Sequence, residues 1–338
     1  MELKAGKLWR LRRLADPEGF MTMLAVDQRP PIEQLVARAR GEATARPEDV
    51  AGVKLLLVEE LADTASAVLI DPLLGYPRAA DALRPDRGLL MTLEHALFEE
   101  TPQGRISRPI PGWSVEAIAR AGADAVKVLV WYRPDADPAL SARQRRWAEA
   151  VGAECRRLDI PFVLELLLYP LGDRPVPEEP ETRAAAVLDS VLAFSAPEFG
   201  VDLFKLESPV PPGALQPLDS ASGRDHQSHF RALDEACGRP WVVLSAGAGQ
   251  DEFTRVVQHA AVAGACGYLA GRAIWSEPLS AFPDVEACRD ALALRAVPFA
   301  RRLNSITRAH GRPWHAHPGY GDGGPTLAGP DFIARHGS

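Results

Sequence analysis

Between Met21 and Trp275, eight short apolar runs alternate with helix-period segments. The alternation predicts a parallel (β/α)8 TIM barrel, with an open doubly wound sheet as the other arrangement it allows. Three observations carry this reading. The runs are apolar almost throughout, as parallel strands covered on both faces must be. Links from a helix into the next run are short, as at Leu158-Asp-Ile160, Gly238-Arg-Pro240 and Gly264-Ala-Cys266, whereas links out of a run are long, as at His95–Trp113, Pro170–Glu181 and Val210–Asp225. Long loops after the strands select the rim where such barrels build their sites. Finally, each run carries one polar residue near its end, in the order Asp27, Asp71, Glu94, Lys127, Glu165, Lys205, Ser245 and Arg272.

Taken in order, Lys7–Leu14 reads as a short amphipathic N-terminal helix. The strand runs are Met21–Gln28, Ala67–Pro72, Gly88–Glu94, Ala125–Trp131, Pro161–Tyr169, Leu203–Pro209, Trp241–Gly247 and Gly267–Trp275. Apolar periodicity places helices near 48–63, 114–121, 140–157, 182–195, 226–237, 251–263 and 284–308, while the segment between the second and third runs has the weakest helical pattern. Residues 1–310 are expected to form one barrel domain. The irregular extension 311–338, with Trp314, His315 and His317, has no periodicity and reads as an arm over a neighbouring subunit or over the site, or as a mobile terminus.

Composition excludes several function classes. The net charge of −7 and the absence of a basic face argue against a nucleic acid partner. No run approaches the roughly 20 apolar residues that span a bilayer. The basic start has no long apolar stretch of a secretory leader, and Cys155, Cys237, Cys266 and Cys288 are widely spaced without a CxxC pair, so a reduced cytoplasmic setting is expected.

The chemistry concentrates on lysine, which this chain uses at only five positions against 33 arginines. Lys127 and Lys205 lie inside apolar strands, where desolvation and a neighbouring cation lower an ammonium pKa and make the amine a nucleophile, a role closed to arginine. A strand lysine can also simply extend to a sheet edge. If the barrel closes, the two lysines meet beside carboxylates. Glu165, within Phe162–Leu168, must pair with a lysine or keep its proton, and either state suits proton transfer. Asp71 and Glu94 read as loop caps or ion-pair partners. At the last two strand ends, Leu244-Ser-Ala-Gly-Ala-Gly249 and Leu269-Ala-Gly-Arg-Ala273 supply small residues, a hydroxyl and a guanidinium, a pattern suited to phosphate through Ser245, Gly247, Gly271 and Arg272. A zinc site is not expected, because only His95 among the histidines lies near the rim.

The motifs Leu24-Ala-Val-Asp-Gln-Arg29, Gly122-Ala-Asp-Ala-Val-Lys-Val128, Pro161-Phe-Val-Leu-Glu165, Asp202-Leu-Phe-Lys-Leu-Glu207, Leu244-Ser-Ala-Gly247 and Leu269-Ala-Gly-Arg-Ala-Ile-Trp275 follow one another in the chain. In them the sequence resembles the tagatose 1,6-bisphosphate aldolase family of class I, Schiff-base aldolases, together with the related 6-deoxy-6-sulfofructose-1-phosphate aldolases. The resemblance implies a lyase that needs no metal or organic cofactor, takes a phosphorylated ketose and works as a homo-oligomer, a dimer or tetramer. It implies that Lys205 forms the Schiff base, that Glu165 shuttles protons, and that Lys127 and Asp27 line the reacting centre. It further implies that Ser245, Gly247, Gly271 and Arg272 hold the C1 phosphate, with Gln28 and Arg29 on substrate hydroxyls or a distal anion. Two departures, Pro30-Pro31 after Arg29 and Leu166 after Glu165, lie beside the pocket and bear on the distal group. Tagatose 1,6-bisphosphate, 6-deoxy-6-sulfofructose 1-phosphate and fructose 1,6-bisphosphate all remain open as substrates. A non-catalytic sugar-phosphate sensor is the alternative of another class.

Overall fold

A computed structural model describes residues 2–327 and 332–333. Eight parallel strands close into a barrel: β1 (Met21–Ala25), β2 (Ala67–Ile70), β3 (Gly88–Thr92), β4 (Ala125–Trp131), β5 (Phe162–Leu167), β6 (Leu203–Leu206), β7 (Trp241–Val243) and β8 (Gly267–Ala270). Each strand pairs with its sequence neighbours, and β8 returns to β1 through Gly267↔Met21.

The period of two along each strand sorts the side chains into two environments. Val68, Ile70, Met91, Val126, Val128, Leu164, Phe204 and Val243 face outward into the main core with the helices. Their alternates Met21, Met23, Ala25, Ala67, Leu69, Leu90, Ala125, Val163, Leu203, Val242 and Leu269 fill the lower barrel interior. The next inward positions toward the carboxyl rim are Asp27, Thr92, Lys127, Glu165 and Lys205, all buried. A charged layer therefore stands on an apolar one.

Local capping explains several helix boundaries. The expected helix near 140 starts at Pro138, because Asp137 accepts the N–H groups of Ala139 and Leu140 at 2.9 and 3.0 Å. The one expected near 226 starts earlier, at Ala221, where Ser220 accepts from Gly223 N–H at 2.9 Å. Between β1 and β2 the chain forms two helices, Pro30–Arg40 and Pro47–Leu61, where periodicity indicated only the second. The missed helix begins on Pro30-Pro31, which are compatible with a helical first turn, where no intrahelical N–H bond is required. The last expected helix is divided. Val285–Ala291 and Val297–His310 are joined by a π-helical turn over Leu292–Ala296, next to Pro298, which has no N–H to give to a preceding carbonyl. The long loop after β3 also contains a hairpin, Glu99–Thr101 with Gly104–Ile106.

The described part of the extension corrects one of its expected placements, that over the site. Trp314 and Tyr320 are buried with Leu3, Leu11, Leu14, Met21 and Met23, under the amino-terminal end of the barrel and opposite the rim. Thr326–Leu327 pairs in parallel with Glu2–Leu3. The rest of the extension, 328–331 and 334–338, lies outside the described residues.

Candidate active site

Register brings the charged layer together. Glu165 on β5 is the Cα partner of Lys205 on β6 and of Leu129 on β4, so Lys127 lies on the same inward face, two residues nearer the base. Glu165 Oε2 then meets both ammonium groups, at 2.7 Å from Lys127 Nζ and 3.0 Å from Lys205 Nζ. Two further carboxylates reach Lys127, Asp27 Oδ2 at 3.1 Å and Glu94 Oε1 at 2.6 Å. Lys127 is thus the centre of three carboxylates.

The electrostatics follow from that arrangement. Burial opposes the Lys127 charge, but Asp27, Glu165 and Glu94 outweigh it and raise its pKa. Burial also works against ionised Glu165 and Asp27. In both cases Lys127 and then Lys205 more than offset it, so the two carboxyls titrate below their ordinary values. Of the two states open to Glu165, the structure therefore favours the ionised, paired one.

The β7 and β8 ends form the expected small-residue turns. Ser245 is buried, and Ala246 and Gly247 both have left-handed backbones, φ +49° and +88°. A non-glycine residue in that region carries strain, which the fold has retained beside Gly247. A Cβ at Gly247 would lie 3.2 Å from the Arg272 guanidinium, and one at Gly271 would collide with the Ala25 carbonyl oxygen. Arg272 is half-buried. Burial lowers its pKa against the longer-range pull of Glu165 and Asp27, and no carboxylate among the described residues lies at ion-pair distance from it.

Arg29 is buried and gives its Nη1 and Nη2 protons to the Glu94 carbonyl, both at 3.2 Å, while its Nε has no partner among the described residues. Gln28, half-buried, likewise has an unpartnered Oε1.

Nine of the ten expected site residues lie in the carboxyl half of a strand or just beyond it, and Lys127 reaches the same cluster from the third residue of β4. Glu94 and Asp71, read as caps or ion-pair partners, divide. Glu94 is an ion-pair partner within the cluster, whereas Asp71 pairs with Lys54 at 2.7 Å and accepts the Leu73 and Leu74 N–H groups as a loop cap. Sequence reading passed over Lys54, a fully buried helix lysine. Its signal was its position on the apolar face of its helix, in step with Val50, Val53, Leu57 and Leu61. His95 is half-buried and its Nδ1 contacts are local, to Leu97, whose N–H it accepts at 3.0 Å.

Solved structures share the fold. A fructose-bisphosphate aldolase from Plasmodium falciparum superposes with a TM-score of 0.65 at 13% identity, covering 92% of this chain and 98% of that one. An archaeal fructose-1,6-bisphosphate aldolase, whose catalytic lysine is covalently bound to a carbinolamine intermediate, gives 0.55 at 18% identity over 88% of this chain and 98% of that one. In sequence, the tagatose 1,6-diphosphate aldolase 2 of Enterococcus faecalis is 31% identical over 326 residues, covering 94% of this chain and 98% of its own. The tagatose 1,6-diphosphate aldolase of Streptococcus pneumoniae is 32% identical over 326 residues, covering 93% and 99%. With residues 21–277 matching the DeoC/LacD family aldolase model as well, the chain belongs to the DeoC/LacD aldolase family.

Proposed function

We propose that the protein is a class I aldolase that cleaves a ketose 1-phosphate of the tagatose 1,6-bisphosphate type through a Schiff base on Lys205. The observation that carries this reading is one carboxylate, Glu165, in contact with both strand lysines, Lys127 and Lys205. It is supported by relatives named as tagatose 1,6-diphosphate aldolases and by the lysine adduct of the archaeal structure.

The neutral amine of Lys205 adds to the C2 carbonyl, and Lys127 donates a proton to the developing carbinolamine oxygen. Loss of that oxygen as water leaves a protonated imine. Glu165 takes the proton of the C4 hydroxyl, the C3–C4 bond breaks, and its electron pair moves into the imine. An aldehyde leaves and an enamine of dihydroxyacetone phosphate remains. Protonation of the enamine at C3 and addition of water free Lys205 and release dihydroxyacetone phosphate. Asp27 and Glu94 hold Lys127 charged and in place. Ser245, Gly247, Gly271 and Arg272 take the C1 phosphate, while Gln28 and Arg29 face the distal part of the substrate.

Borohydride reduction in the presence of dihydroxyacetone phosphate tests the central step. A mass addition on the peptide carrying Lys205 is expected, and its absence removes the Schiff base. Product analysis across tagatose 1,6-bisphosphate, fructose 1,6-bisphosphate and 6-deoxy-6-sulfofructose 1-phosphate assigns the distal group. The same reading includes a dimer or tetramer in a reducing cytoplasm, with four buried free cysteines in keeping with that compartment; light scattering measures the assembly.

A further inference from the structure

Asp27 touches Lys127 from a stretch of backbone that the sheet does not hold. The last β1–β2 rung is the bond from Val26 N–H to the Leu69 carbonyl at 2.8 Å, and Asp27 lies beyond it. Nor do its own contacts pin the carboxylate. The 3.1 Å bond to Lys127 is longer than those from Glu94 and Glu165, and Oδ1 has no hydrogen-bond partner among the described residues. Something else must set where this carboxylate points.

Lys54 supplies the constraint. It sits on the helix Pro47–Leu61, is fully buried, donates to the Val26 carbonyl at 2.6 Å and the Gln28 carbonyl at 2.8 Å, and forms an ion pair with Asp71 Oδ2 at 2.7 Å. The two carbonyls flank Asp27, so one ammonium clamps the backbone on both sides of the residue. Asp71 provides the countercharge that a desolvated ammonium requires, and is itself held by the Leu73 and Leu74 N–H groups at 3.0 and 2.9 Å. A lysine that only fastened its helix to the barrel would need Asp71 alone. The two main-chain bonds around Asp27 are what such a role leaves unexplained.

We infer that Lys54 is a positioning residue for the reaction, holding the Val26–Gln28 backbone so that Asp27 meets Lys127 at the reacting centre. The inference rests on the proposed role of Asp27 and Lys127. In chain terms it links the β2 loop, through Asp71 and Lys54, to the end of β1 and on to the catalytic ammonium.

The test is a double-mutant cycle of Lys54→Met and Asp27→Asn, read as the rate of solvent deuterium exchange into dihydroxyacetone phosphate, with melting temperatures alongside. In the wild-type background Lys54→Met is expected to slow kcat for exchange about 10- to 100-fold, the scale of a misplaced catalytic group, with KM changed less than about 3-fold. In the Asp27→Asn background the same substitution is expected to cost less than about 3-fold, because the group it positions has already lost its charge. Equal losses in the two backgrounds, or no loss in the wild type, overturn the inference. If Lys54→Met does not fold, the pair Lys54→Met with Asp71→Leu, which removes both charges and still frees the two carbonyls, goes through the same cycle. Should Asp27→Asn itself leave exchange unchanged, the role of Asp27 fails and the inference falls with it. Equal losses with Asp27→Asn impaired defeat Lys54 alone.

Discussion

Lys205 and Glu165 are Cα partners across β5 and β6, and their side chains meet at 3.0 Å inside the barrel. A rung of the sheet thus sets the distance between the proposed nucleophile and the proposed base. Glu165→Gln keeps the side chain's size and removes its capacity to take a proton, so ketose bisphosphate cleavage is expected to fall about 10²- to 10⁴-fold. Borohydride trapping of dihydroxyacetone phosphate on Lys205 should persist. Wild-type cleavage by this variant, measured by coupled assay, would remove Glu165 as the base.

Lys127 is the largest of the charges that hold Asp27 and Glu165 below their ordinary values. Lys127→Met therefore raises the pKa of both carboxyls. Because the base must be ionised, activity is lost at a higher pH than before, and the acid limb of the kcat/KM profile moves upward. Turnover slows at the same time through loss of the proton donor. A profile between pH 5 and 9 with an unmoved acid limb contradicts this assignment.

Arg272→Ala removes a guanidinium with no carboxylate at ion-pair distance among the described residues, so its effect should fall on ligand rather than on folding. Binding of dihydroxyacetone phosphate, measured by calorimetry, is expected to weaken by about 1.5–3 kcal/mol, the scale of a lost charge-assisted contact. Unchanged affinity would place the phosphate elsewhere.

Trp314 seals the amino-terminal end of the barrel, far from the chemistry. Trp314→Ala is expected to cost about 3–5 kcal/mol of stability, as large buried aromatics do, with kcat of the folded enzyme unchanged. Denaturant unfolding and initial rates on the same preparation check both halves.

Much of this site was legible because a charge inside or at the end of an apolar run is costly unless it is partnered. Asp27, Lys127, Glu165 and Lys205 were found that way. Asp71 and Glu94 gave identical signals, a carboxylate at the end of an apolar run, yet one pairs with the helix lysine Lys54 and the other with Lys127 in the charged cluster. What separates them is which cation reaches each, and neither distance is contained in local periodicity. Lys54 was visible as a lysine on an apolar helix face, but its partners at 26, 28 and 71 come together only when β1, β2 and that helix pack. The packing of the extension under the barrel was not legible for a related reason: a segment without periodicity can still be held by two aromatic anchors, Trp314 and Tyr320, whose surroundings are built by residues near the other end of the chain.

Lys127 meets three carboxylates and Lys54 has Asp71, whereas Arg29 and Arg272 have no anion of their own among the described residues. A molecule of net charge −7 therefore keeps a locally positive floor in its mouth. For the phosphorylated sugars proposed as substrates, that floor attracts through a repulsive outer field, and ions in solution screen the approach while leaving the enclosed chemistry largely untouched. The speed of capture and the speed of bond breaking consequently answer to different conditions, the first to ionic strength and the second to the protons held within.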